Sequence, residues 1–250
     1  MMRFFVLIFA VIGLIGAGPQ SASAQEKTAV QKGFELAPNS GKRILVFRPA
    51  IRVGAQSTAG LFEPNADWTE EATKNIQASL AEFQERIGNE VINAPEAYGA
   101  EAQNLQEHMD LFAAVSRSAI KYQFFAGQRL PTKKKDNRED IFDWSLGSGV
   151  SSLPGADGAD YGLFIFNKDA YGSTGRKLLQ GLAFLARVPV KSGEHQGFAG
   201  LVDLRSGDLL WLNADFAMGG DVRKPEGAQK RVGQLLEEFP GSDLPDGRGE

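Results

Sequence analysis

Cysteine is absent from the 250-residue chain. That excludes disulfides, thiolate metal sites, a cysteine nucleophile and a lipidated cysteine. Histidine is scarce: His108 and His195 are the only two, neither near the other in sequence, and a zinc site needs clustered nitrogen or sulfur ligands. A basic excess is missing as well, since 27 Lys and Arg face 31 Asp and Glu for a formal net charge of -4. A general nucleic-acid binder carries a strong positive balance, so no nucleic acid is expected as a partner. What remains is ordinary globular material, 42% hydrophobic and 23% charged, able to bury a core without covalent staples. The length allows one large domain or two small ones.

The amino terminus carries the most specific signal. Met1-Met-Arg3 supplies a positive start, Phe4 to Gly18 is an uncharged apolar run, and Pro19 breaks it. Ala22-Ser-Ala24 then places small residues where a signal peptidase reads, so cleavage is expected between Ala24 and Gln25. A retained anchor is the competing reading, but the run is shorter than the roughly 20 residues a spanning helix prefers. Residues 1–24 are therefore assigned as a signal peptide. The mature chain is expected in the periplasm, with no membrane span after signal removal.

Residues 25–41 form a polar lead-in without a clear period, expected to be loosely held. Lys42 to Arg48 reads as a short strand with Pro49 stopping or edging it, Ile51 to Val53 continues it beyond a kink, and Gly54 to Asn65 reads as loop. Asp67 with Glu70 suggests a capped helix start. Trp68, Ala72, Ile76, Leu80, Phe83 and Ile87 then give an apolar stripe ending at Gly88-Asn89. Glu90 to Ile92 is a short strand, and a second helix is predicted over about Glu96 to Phe125. Tyr161 to Phe166, nearly continuous in apolar residues, has the pattern of a central strand covered on both faces. After Ser173-Thr174, leucines 178, 179, 182 and 185 mark a helix that stops near Pro189. Gln196 to Leu212 is a hairpin turning at Ser206-Gly207, and Pro225 opens a last helix through Phe239. Residues 241–250 read as a disordered tail. No internal repeat is present.

Residues 127–159 form a long insertion loop. Lys133, Lys134 and Lys135 are followed by Phe142 and Trp144, whose alternation puts both rings on one face. A structureless connection this long is often functional, and charge joined to aromatics suits recognition, although aromatics in loops also anchor to cores. Gly172-Ser-Thr-Gly175-Arg-Lys177 lies between strand and helix, as a phosphate loop would. It has two residues between its glycines instead of four, and no lysine directly after the second. A weaker anion site at this helix start, using Arg176 or Lys177, stays open. Asp160, Asp169, Asp203, Asp208, Asp215 and Asp221 lie at strand ends or beside the hairpin turn; a pair across a cleft would allow hydrolytic acid–base work, while turn aspartates commonly bond their own backbone. Ser148 lacks the spacing of a nucleophile elbow, and Asp157 to Asp160 lacks the alternating ligands of a calcium loop. No cofactor is implied.

The order strand, helix, short strand, helix, strand, hairpin, closing helix has a sequence counterpart. With Arg43-Ile-Leu-Val-Phe47 first, Tyr161 to Phe166 central and Leu201-Val-Asp-Leu-Arg-Ser-Gly-Asp-Leu-Leu-Trp211 late, it resembles the amino-terminal domain of TolB and the periplasmic domains of CsgG and LpoB. The resemblance covers about Lys42 to Phe239. It implies a small mixed sheet with helices across it, and an envelope-assembly or interaction role without catalytic residues. The lipobox cysteine and the propeller repeats are missing here. The expectation is a single mixed α/β domain over residues 42–240. Its role is expected to be non-enzymatic binding of an envelope protein or cell-wall component in a Gram-negative periplasm, with Lys133, Lys134, Lys135, Phe142 and Trp144 as the contact region. The alternatives are a periplasmic hydrolase using strand-end aspartates and a small-ligand or anion binder near Gly175.

Overall fold

The computed structural model describes residues 27–125, 128, 130–133, 141–185, 187, 193–216 and 218–242. The signal segment, its cleavage site at Ala24 and Gln25, and residues 243–250 lie outside the described residues. In chain order the elements are β1 (Lys27–Val30), β2 (Arg43–Val46), β3 (Ala50–Gln56), β4 (Phe62–Pro64), α1 (Ala66–Gln84), β5 (Glu90–Asn93) and α2 (Ala100–Ala119). Then come β6 (Tyr161–Gly172), α3 (Thr174–Leu185), β7 (Glu194–Asp203), β8 (Leu209–Asp215) and α4 (Pro225–Leu235).

β6 is the spine. It pairs in parallel with β2 and then β3 along one edge, and antiparallel with β7 along the other. Its side chains alternate between two core layers, as a strand's must. Leu163 and Ile165 pack with Ile76, Leu80 and Phe83 of α1 and Val232 and Leu235 of α4. Phe164 and Phe166 pack with Met109 and Phe112 of α2 on the opposite face. The eight-stranded mixed sheet runs β1-β8-β7-β6-β2-β5, with β3 continuing the line of β2 along β6 and β4 hairpinned onto β3. It is an open sheet with helices across both faces, an α/β domain of three layers. The parallel β2–β5 and β2–β6 pairs require crossovers; α1 makes one over one face, and α2 makes the other over the opposite face.

The late hairpin forms as its residues dictate. Gly207 turns it at φ +83°, and a Cβ there would lie 2.0 Å from the Gly147 carbonyl oxygen, so only glycine fits.

Several expectations need correction. Residues 27–30 are not loose: they add an edge strand to β8, Lys27 opposite Ala214 and Val30 opposite Trp211, because a free sheet edge pairs with backbone whatever the side chains. The stretch from Gly54 to Asn65 holds the end of β3 and all of β4. The cap of α1 is Asn65, whose Oδ1 accepts from the Trp68 N–H at 2.9 Å, while Asp67 sits in the first turn, where negative charge favours the helix dipole. The second helix starts only at Ala100 and ends in one π turn, Ile120–Phe124. β6 runs six residues beyond Phe166, carrying buried Asn167 and Asp169. In the long insertion loop, Phe142, Leu146, Val150, Leu153 and Ala156 are buried in the α2 layer, so these residues are a wall of the core. Gly241 and Ser242 belong to the fold as well, bonded to Gly88 and bridged to Ile87.

Candidate functional site

Past Phe166 the α1/α4 side of β6 turns polar: Asn167, Asp169 and Tyr171 follow Ile165 at period two. Asn167 and Asp169 are completely buried, which is tolerable only with full hydrogen bonding. Arg231 of α4, also completely buried, supplies it. Its Nη1 donates to Asn167 Oδ1 at 2.5 Å and Asp169 Oδ2 at 2.7 Å, and its Nη2 to Asp169 Oδ1 at 3.0 Å. Nη2 also reaches the carbonyls of Gly219 and Gly220 at 3.3 and 3.2 Å. This bidentate fork is the geometry arginine is built for. Asn167 Nδ2 donates to Asp169 Oδ2 at 2.5 Å.

His195 sits directly across the ladder from Asp169, its Nδ1 2.5 Å from Asp169 Oδ1. Burial opposes charge on Asp169, but His195, Arg231 and Asn167 together hold its carboxyl below the ordinary value. An ionised carboxylate only accepts, so Nδ1 carries the proton in this contact. His195 Nε2 faces Gly193, where a Cβ would lie 3.1 Å away. Tyr171 stacks obliquely on the His195 ring, centroids 5.1 Å apart. Burial, with the Asp169 and Asp221 carboxylates, pushes the Tyr171 hydroxyl up. Its oxygen accepts from the Val222 N–H at 3.2 Å. Arg223 lies over both Tyr171 and Trp68, at 3.8 and 4.5 Å from their centroids, and its hydrogen bonds to Asp221 hold that carboxyl down to about 2.

A histidine–aspartate pair is one part of a hydrolytic relay, which also needs a nucleophile within reach of the imidazole. Among the described residues no hydroxyl is hydrogen-bonded to Nε2, and Asp169 already serves three partners. The network ties α4 to the sheet. The remaining aspartates are split between the two ends of β6, with Asp160, Asp203 and Asp208 at the hairpin-turn end. Asp203 accepts from the Arg205 and Ser206 N–H groups at the hairpin turn, opposite Tyr161. Asp221 lies by Tyr171 near the other end of β6, roughly 30 Å away at about 3.3 Å per residue. Asp160 binds Lys42 at 2.8 Å.

At the far end of β6 the chain makes α3. Ser173 Oγ accepts from the Arg176 N–H at 3.2 Å, and Arg176 Nη1 donates to the Thr58 carbonyl at 3.1 Å, seating the helix start on the β3–β4 turn. None of the helix's residues is buried; Arg176 and Ala183 are half-buried, and Leu179 is 36% exposed. The leucine stripe faces away from the fold: Leu178 is 66% exposed, Leu182 57%, Leu185 79%, and Phe184 81%. Leu61, on the same β3–β4 turn, is 69% exposed. Lys177, on the first turn, is exposed too.

The predicted contact region lies elsewhere. Lys133 Nζ binds the Asp143 carboxylate and lies 4.4 Å from the Trp144 ring centroid. Trp144 is half-buried, and its Nε1 donates to Gln123 Oε1 at 2.5 Å. Phe142 is buried. Phe142 and Trp144 face the same core layer, and Lys133 lies over the Trp144 ring. Lys134 and Lys135 lie outside the described residues. Arg176 and Lys177 are at the opposite end of β6, since Trp144 accepts from the Leu209 N–H beside the hairpin turn. Sequence reading missed Arg231, although a cation in the stripe Ala228, Val232, Leu235 was a signal, as were two polar residues at period two in an apolar strand.

Among the described residues no helix is long and apolar enough to cross a membrane, and no three His, Asp or Glu residues are grouped to hold a metal ion. No family model matches the chain, and no curated protein matches it. Among solved structures, the chain is similar to a PelC dodecamer from Paraburkholderia phytofirmans, with 11% identity and a TM-score of 0.36 over 84% of this chain and 95% of that one. A neuraminyllactose-binding hemagglutinin homolog from Helicobacter pylori follows at 10% identity and a TM-score of 0.32, over 82% of this chain and 89% of that one. At these scores neither likeness carries an argument about what this chain does.

Proposed function

We propose that this protein is an exported, non-enzymatic interaction or assembly factor of the bacterial cell envelope, and that α3 is the element by which it docks. One observation carries the reading: a helix with a leucine stripe that turns the stripe outward while the rest of the chain closes two complete core layers. Contiguous exposed apolar surface marks an interaction site. Its charge setting selects the partner. From Ala170 to Gly193 the sequence has Arg176, Lys177, Arg187 and Lys191 and not one acidic residue, in a chain of net charge -4. Leucines flanked by cations suit the headgroup region of an anionic bilayer, into which an in-plane helix sinks its apolar side.

Co-sedimentation of the mature chain with vesicles of phosphatidylglycerol and phosphatidylcholine tests this. Binding is expected to weaken as salt rises. It should fall a hundredfold or more in the triple variant Leu178→Ser, Leu182→Ser, Leu185→Ser, since each leucine contributes about 1.5 kcal/mol or more when buried. Failure of the wild-type chain to bind, or equal binding by the triple variant, overturns α3 as a membrane-docking helix. An envelope protein captured by the wild type and lost from the triple variant, with no vesicle binding, reassigns the helix to a protein groove.

A further inference from the structure

A second site lies far from α3's apolar face, in the crevice where the sheet's parallel strands part. β2 is flanked in parallel by β5 and β6. The crossover through α1 covers one face and that through α2 covers the other. In open α/β sheets such a reversal leaves an uncovered crevice beyond the carboxyl ends of the strands, where ligands bind. Here the crevice is widened by a break in the strand. Phe47-Arg48-Pro49 separates β2 from β3, β5 pairs no further than Asn93 opposite Val46, and β4 takes up pairing only at Gly54. The outer edge between them opens into a cavity of about 890 Å³, which continues into a second of about 620 Å³. The first is within the range of small-molecule sites.

Its lining is divided. Leu80 of α1 lines it from one layer, and Leu105 and Met109 of α2 line it from the other. Arg48, Thr73 and Gln77 line both cavities and mark their junction. Arg48 is exposed and no hydrogen bond or ion pair engages it among the described residues, whereas Arg43, Arg52, Arg223 and Arg231 each hold a carboxylate. Of the acids in the lining, Glu96 accepts from the Tyr98 hydroxyl, and Glu70 shares the second cavity with Arg48 without a hydrogen bond or ion pair to it. A guanidinium without a partner, sharing its lining with an amide, a hydroxyl and apolar side chains, fits a planar or tetrahedral oxyanion on a short hydrocarbon body.

We infer that this crevice binds a small organic anion, with Arg48 holding its carboxylate or phosphate group and its apolar part lying between Leu80 of one layer and Leu105 and Met109 of the other. The test is titration of the Leu178→Ser, Leu182→Ser, Leu185→Ser chain, which removes α3 as a competing apolar surface, with hexanoate, hexyl phosphate and neutral hexanamide, followed by amide chemical shifts in NMR. Saturable shifts are expected at Thr73, Gln77 and Asn93 with at least one anion, tenfold or more tighter than with hexanamide. The tighter of the two anions names the headgroup. Arg48→Gln should bring that anion to the level of hexanamide, and Gln77→Ala should weaken it less. Because Arg48 is exposed and unbonded, its variant should unfold at the wild-type temperature. Absence of shifts in the crevice with both anions, or unchanged anion binding by Arg48→Gln, overturns the proposal. Either result leaves the vesicle experiment on α3 untouched.

Discussion

Helices α1 and α3 carry the same kind of stripe and use it in opposite ways. In α1 the residues Ala72, Ile76, Leu80 and Phe83 disappear beneath α4 and the sheet. In α3 the leucines are at least as dense, yet none is buried. The difference lies in the chain around each helix. α1 is a crossover between neighbouring parallel strands, so its path must cross the sheet and press on it. α3 joins β6 to β7, which already pair antiparallel over ten residues; it lies past the ends of these strands and does not have to cross the sheet. Periodicity establishes that a helix has an apolar side, and connectivity decides whether the protein or something outside it provides the cover.

The largest effect expected from sharpening this contrast is on the α1/α4 layer. Arg231→Leu should cost about 3–5 kcal/mol, because it strands the Asp169 charge in the interior; urea denaturation measures it, and a loss below 1 kcal/mol would break the view that this network holds α4 down. Next come matched truncations in the two stripes. Ile76→Ala, at a fully buried position, should cost roughly 2–5 kcal/mol. Leu182→Ala should stay within about 0.5 kcal/mol. Equal losses in denaturant would mean that α3 is packed in solution after all.

The last effect concerns acid. The folded pKa of Asp221 is held down to about 2, first by its hydrogen bonds to Arg223, from an ordinary value of 3.8. Its stabilising contribution is therefore complete above pH 3.8 and is lost as pH falls through about 2. Asp221→Asn should narrow its stability gap to wild type across that window and hold a constant gap above it. Solvent reaches nearly a third of the carboxylate's surface, so the gap should stay below about 1 kcal/mol. A gap unchanged from pH 5 to pH 2 would remove Asp221 from the account.

Much of the fold was legible because its signals are local. The stripe of α1, the apolar run that opens β6, the Ser206-Gly207 turn and Pro225 at the start of α4 each report conformation within a few residues. β1 and β4 gave no such report, since an edge strand is selected by the backbone of its neighbour, and Asn65 outranked Asp67 as cap only through the geometry of the preceding hairpin. The anchoring of Phe142 to the core was legible, since loop aromatics commonly anchor there, but the seat of Lys133 over the Trp144 ring was not. Of the candidate sites, the α3 leucines were visible and their exposure was not, while Arg48 drew no notice as a single arginine beside a proline.

By itself the sequence determined that a mixed sheet would form around Tyr161 to Phe166 and that thiol chemistry was excluded, because apolar spacing and residue inventory are properties of the chain alone. Only the tertiary structure decided which apolar stripe stays uncovered, that Arg48 faces a cavity and that Arg231 is locked to Asp169. Those are facts about neighbours brought from more than sixty positions away, and no local pattern records them.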